Sequence, residues 1–139
     1  MPAKKLGDIA NYPNRQCGLI NIGYTTYTDA TLFAESTDSV QVFQGPDGWY
    51  LGGTGNAAGG ARCVDIPGTV TDWWYEAGTG VGTYRMDDAY YYDTCFLTGV
   101  QGNFRNPSWN DEVWVSQDGM AHWQMSLDNG KIGMATCIY

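Results

Sequence analysis

The sequence predicts an all-β protein made of two repeated modules of short antiparallel strands, arranged as a β-sandwich or as a pair of packed β modules. Three observations predict it. The first is an internal repeat. Trp49 and Trp123 each stand fourteen residues before a cysteine, Cys63 and Cys137, and between them Leu51 aligns with Met125, Gly59 with Gly133 and Ala61 with Ala135 without a gap. Upstream, Cys17-Gly-Leu with Ile22 echoes Cys95-Phe-Leu with Val100. Self-similarity at a fixed spacing is the mark of a supersecondary unit used more than once. The second is composition: 19 glycines, 10 tyrosines and 6 tryptophans favour turns and aromatic strand faces, and few stretches carry the Ala/Leu/Glu/Lys mixture of a helix. The third is the alternation of apolar and polar residues beside tight-turn signals, the pattern of half-buried strands joined as hairpins.

In chain order, residues 1–16 form a polar arm with Pro2, Pro13 and three basic residues, Lys4, Lys5 and Arg15. Against an acidic body this arm is the locally positive segment. It reads either as a frayed terminus or as a docking arm that orders on a neighbouring subunit. Residues 17–66 are the first module. Leu19, Ile20 and Ile22 begin a strand that continues into Tyr24-Thr-Thr-Tyr-Thr, Val40–Gln44 alternates, Gly45-Pro-Asp-Gly48 turns, and Trp49-Tyr-Leu returns. Gly52–Gly60 is expected to be a loop or broad turn before a strand at Ala61–Ile66. Residues 67–94 are an aromatic connector, Trp73-Trp74-Tyr75 and Tyr90-Tyr91-Tyr92 around Gly78–Gly82, most simply two strands joined by a glycine turn. Residues 95–139 are the second module: a strand at Cys95–Val100, a polar loop over 102–110 with Phe104 and Trp109, an alternating strand at Glu112–Gln117, an Asp118-Gly119 turn, a return over Ala121–Leu127, a turn at Asp128-Asn-Gly130 and a last strand from Ile132.

The net charge of −8 disfavours a phosphate-backbone partner, because nucleic-acid binding rests on clustered Lys and Arg. No run of about eighteen apolar residues offers a membrane span. The first residues lack the apolar core of a secretory signal, so the chain is expected either to have lost one or to leave its cell by another route. The four cysteines sit at the ends of the two repeats. Paired as Cys17–Cys63 and Cys95–Cys137 they would each close one module; four cysteines allow three connectivities, and four reduced buried thiols are the other reading. Zinc is disfavoured, since there is no Cys-x-x-Cys and His122 is the single histidine.

Catalytic constellations are weak. A Ser-His-Asp arrangement would need His122, which falls inside an expected strand beside Trp123. Glycoside hydrolysis would need two carboxylates facing each other across a cleft; Glu35, Glu76 and Glu112 are the only glutamates, and no pair stands out. Asp87-Asp88, or Asp111 with Glu112, lack the Asp-x-Asp-x-Asp-Gly loop of a calcium site, and the glycine-rich stretch lacks the Lys-Ser/Thr ending of a phosphate loop. The expectation is a non-enzymatic protein with no cofactor and no metal. The aromatics are more informative: in an extended chain Trp73, Trp74, Tyr75, Tyr90, Tyr91 and Tyr92 alternate faces, so some of them point outward. Flat apolar rings with polar neighbours suit recognition of a sugar or a protein. The competing reading places them in the core, and it is favoured for Trp73 and Trp123.

The run Cys95-Phe-Leu-Thr-Gly-Val-x-Gly-x-Phe, continued by Asp-Glu-Val-Trp-Val and the terminal Ala-Thr-Cys, resembles a short C-terminal β module of phage tail fibres, tail spikes and similar virion surface proteins. The resemblance covers Cys95 to Cys137 and extends weakly, through the internal copy, over Cys17 to Cys63. It implies a receptor-binding part of a virion, oligomeric with itself or with other virion proteins, that contacts a host surface glycan or protein. It carries over no catalytic residue. A capsid-decorating (cement) protein and a secreted lectin-like protein are the alternatives.

Overall fold

The computed structural model describes residues 3–8, 14–24, 37–54, 57–77, 82–90, 93–102, 112–120, 122–128 and 130–139, with backbone alone at 21–24 and 87–90. The fold is all-β. Its strands are β1 (Lys4–Asp8), β2 (Arg15–Tyr24), β3 (Ser39–Gln44), β4 (Gly48–Gly53), β5 (Ala57–Asp65), β6 (Val70–Glu76), β7 (Gly82–Tyr90), β8 (Thr94–Gln101), β9 (Val113–Gln117), β10 (His122–Leu127) and β11 (Ile132–Ile138). They form a six-stranded sheet in the order β1-β4-β3-β8-β11-β6, a three-stranded sheet β7-β10-β9 and a two-stranded sheet β2-β5, with every pairing antiparallel.

The repeat seen in the residues is a repeat of register. Cys17 lies directly across from Cys63, and Cys95 from Cys137, and both pairs are disulfide-bonded. Two residues further on, each pairing slips at the same place. Leu19 faces Ala61 and Asn21 faces Gly60, so Ile20 is bulged; Leu97 faces Ala135 and Gly99 faces Met134, so Thr98 is bulged. A bulge puts two residues opposite one and bends the strand. The hairpins agree as well, since Val42 faces Leu51 as Val115 faces Met125, and Gln44 faces Trp49 as Gln117 faces Trp123.

Each turn closes where the turn residues stand. The Gly45 amide donates to the Gly48 carbonyl at 2.8 Å. Gly119 and Gly130 adopt φ of +78° and +72°, the left-handed region that only glycine enters without strain. The Lys131 amide donates to the Asp128 carbonyl at 3.1 Å.

Each module buries one core. In the first, Cys17, Val40, Val42, Trp49, Leu51 and Ala57 close against Val100 of the second. In the second, Met86, Met125, Leu127, Ala135 and Cys137 form the centre, with Met86, Met125, Leu127 and Cys137 fully enclosed. Leu97 and Val113 touch both cores. The modules are also joined edge to edge, where Ser39, Val40 and Gln41 of β3 face Gln101, Val100 and Gly99 of β8.

Three expectations change. Gly52–Gly60 is not a loop throughout: β4 runs to Gly53 and β5 begins at Ala57. Glycine there serves close approach, because a Cβ on Gly53 would stand 2.9 Å from the Ser39 carbonyl oxygen. The connector does supply two strands, yet they do not pair with each other, since β6 joins β11 and β7 joins β10. Within the segment expected as an arm, Lys4–Asp8 is an edge strand on β4. Tyr91, Tyr92, Phe104, Trp109 and the side chain of Tyr90 lie outside the described residues.

Candidate functional site

β3 and β8 pair over only three residues before they part. Beyond that point a groove of about 480 Å³ opens between Val42–Gln44 of β3, Thr98 at the bulge of β8, Met134–Thr136 of β11 and Asp72–Trp74 of β6. Gln16 of β2 and Trp49 of β4 close its far side. Both modules therefore build the groove, and Thr98, the bulged residue of β8, lines it.

Strand alternation sorts the aromatics of β6. Trp73 and Tyr75 turn toward the second core, where Trp73 stacks on Tyr75 (centroids 6.2 Å apart) and Tyr75 on Tyr84 (4.7 Å). The Tyr75 hydroxyl donates to the Arg85 carbonyl at 3.2 Å, and the Tyr84 hydroxyl to the Glu76 carbonyl at 3.1 Å. Trp74, between them in sequence, faces the other way and remains 55% exposed, opposite Met134 in register. Two residues away on the same face, Asp72 accepts a 2.7 Å hydrogen bond from the Thr136 hydroxyl. Phe43, 37% exposed, stacks on Tyr50 across the β3–β4 hairpin at 5.7 Å. A flat exposed indole, a second aromatic ring, a carboxylate and two amide side chains thus line one concave surface. A sugar ring presents an apolar face and a hydroxyl rim, and such a surface offers an apolar plate for the one and polar groups for the other.

Other polar groups tie turns and strands together. The Asp118 carboxylate accepts from the Met120 amide at 2.7 Å, the His122 amide at 3.1 Å and Arg85 Nε at 3.1 Å. The first of these bonds, with the others behind it, holds its pKa below the ordinary carboxylate value. His122 Nδ1 lies 3.2 Å from the Met120 carbonyl oxygen in the same turn. Asp47 accepts from the Tyr50 hydroxyl at 2.6 Å and from Lys5 at 3.2 Å, and these bonds lower its pKa. Among the described residues no three His, Cys, Asp or Glu side chains converge on a metal-binding point.

Of the basic residues near the start, Lys5 pairs with Asp47 and Arg15 with Asp65 at 3.4 Å, both within this chain, while Lys4 is exposed. Exposed pairs of this kind contribute little stability, and here they fasten β1 and β2 to their own module. Trp123 is a core residue as expected, its indole N–H donating to the Asp93 carbonyl at 3.0 Å. A shallower hollow of about 260 Å³ lies beside β2, lined by Gly18, Ile20, Val64, Ile66 and Phe96.

Sequence reasoning names Trp73 and Trp74 at the groove but misses Phe43, Asp72, Gln16 and Gln44. They come together only through the β3–β8 and β6–β11 pairings, and no local pattern announces those. The chain matches no protein-family model, no curated protein and no solved structure.

Proposed function

We propose that this chain is a non-enzymatic surface protein of a phage virion, a tail-fibre or tail-tip component that recognises a host-cell glycan in the groove around Trp74. The observation that carries the reading is Trp74 itself. A residue of that size left more than half exposed, beside a carboxylate and amides in a concave seam, stands where a sugar ring would stack. The virion assignment rests on the resemblance of Cys95–Cys137 to modules of tail fibres and spikes. Two disulfides suit a protein that works outside a reducing cytosol.

The test is adsorption. Purified protein should compete with particles for host cells, and Trp74→Ala should abolish competition while its thermal unfolding stays at the wild-type temperature. Equal competition by the variant would overturn the reading. A secreted lectin-like protein is the second reading, favoured by the same groove and bridges. Mass spectrometry of purified particles separates the two, because a tail component is present in each particle and a secreted lectin only in the medium.

A further inference from the structure

The joint between the modules has a counterpart at each end of the chain. Within the chain, β3 of the first module pairs with β8 of the second: Ser39 with Gln101, Val40 with Val100 and Gln41 with Gly99. By the repeat, β9 is the counterpart of β3 and β2 the counterpart of β8. Val113 takes the place of Val40, two residues before the valine that faces Leu51 or Met125. Ile22 takes the place of Val100, since each lies past the bulge and opposite the aligned glycine, Gly59 or Gly133. Yet among the described strands β9 pairs with β10 alone, and β2 with β5 alone.

The backbone of β9 is set for another partner. The Asp128 amide donates to the Glu112 carbonyl and the Asp118 amide to the His122 carbonyl, so the hydrogen-bonded pairs with β10 fall at the even residues. In an antiparallel ladder the intervening residues direct their amides and carbonyls outward. Val113 and Val115 therefore present their backbone on the side where Val40 meets Val100.

We propose that a second copy of the chain completes both joints. Glu112–Trp114 of one copy pairs antiparallel with Asn21–Gly23 of the next, with Glu112 opposite Gly23, Val113 opposite Ile22 and Trp114 opposite Asn21. Burial differs between the modules in the sense this requires. Val40 is fully enclosed, whereas Val113 is half-buried; Gln41 is half-buried, whereas Trp114 is 39% exposed. The first core takes Leu97, Val100 and Val113 from the second module, while among the described residues the second core takes nothing from the first. Ile20 and Val64, 58% and 40% exposed, edge the flank of the first module beside β2.

At the internal joint Gln41, Gly99 and Met134 stand in one row, and a Cβ on Gly99 would come within 2.9 Å of the Met134 sulfur and 3.0 Å of the Gln41 Cβ. In the joint between copies the corresponding row of the register reads Trp114, Asn21 and Gly60, with a glycine where the internal joint has Met134. The contact is heterologous: one copy gives β9 and the next gives β2, which makes a closed ring or a continuing stack. It stands on the repeat and the register alone, whatever the groove binds.

Light scattering on the full chain tests it. The wild type should associate. Val113→Pro and Ile22→Pro each remove an outward amide without touching the intrachain partner strand, so each alone should be monomeric. Mixed together they should form a one-to-one dimer, because each retains the edge that the other lacks. Trp114→Lys, which alters only a side chain on the joint, should weaken association and provides the readout if a proline variant does not fold. A wild type that stays monomeric at its solubility limit, association unchanged by Val113→Pro or Trp114→Lys, or a mixture that stays monomeric would overturn the proposal.

Discussion

Gly133 shows how little room the second core leaves. A methyl built there would stand 2.5 Å from the Met125 sulfur, 2.8 Å from Leu127 Cδ2 and 3.0 Å from Val113 Cγ1. Met125 and Leu127 are fully buried and have no open side to swing into, and overpacking of this kind costs about 1–3 kcal/mol. Gly133→Ala should therefore lower the urea midpoint, and a midpoint at the wild-type value would show that the sheets can part. Asp118 makes a different prediction at the same scale. The fold lowers its pKa, so the folded state favours the charged form. Its contribution is complete above the ordinary carboxylate range and is lost as pH falls below about 4. Asp118→Asn should be less stable than wild type at neutral pH, and the gap should close in acid; a gap independent of pH would place the effect elsewhere. The outward turn of Trp74 was partly legible in the sequence, because period-two alternation opposes it to Trp73 and Tyr75. The core reading favoured for Trp73 fits its packing in the second core, but its partners there were not legible, since Tyr84 and Met86 arrive from a strand that pairs elsewhere.

At the scale of elements, the two bridges do the same task in each module. Each joins cysteines directly opposite on paired strands, Cys17 to Cys63 across 46 residues and Cys95 to Cys137 across 42. Closing loops of this length in the unfolded chain contributes roughly 3–4 kcal/mol in the chain-entropy model. Replacing both members of either pair by alanine should remove about that much stability by chemical denaturation. Loss of only a few tenths would mean that the strand ladders alone restrict the unfolded chain. The pairings were open among three connectivities in the sequence, and register settles them. The hairpins were legible because Gly-Pro-Asp-Gly and Asp-Gly are local signals. The strand character of Ala57–Gly60 was not, since a glycine run reads as a loop until a partner strand is known. The pairing of β6 with β11 spans more than fifty residues of sequence, and neither strand carries a mark of the other.

For the whole molecule, one unit written twice explains both the core and the seam. The second copy is not an identical duplicate: its bulge residue is Thr98 where the first copy has Ile20, and the groove lies at Thr98 while the exposed apolar flank lies at Ile20. The groove and the exposed apolar flank thus fall at the two bulges of the repeat, where the proposals above place binding and assembly. The reading of this chain as a recognition protein stands on the groove. The most direct measurement is an NMR titration of the purified protein with fragments of host surface glycan, following the indole N–H signals. The account predicts that the Trp74 signal shifts in a saturable way, that the signals of core Trp123 stay in place, and that Trp74→Ala no longer binds. Saturable binding that leaves Trp74 unmoved, or no binding to any host glycan, would contradict it.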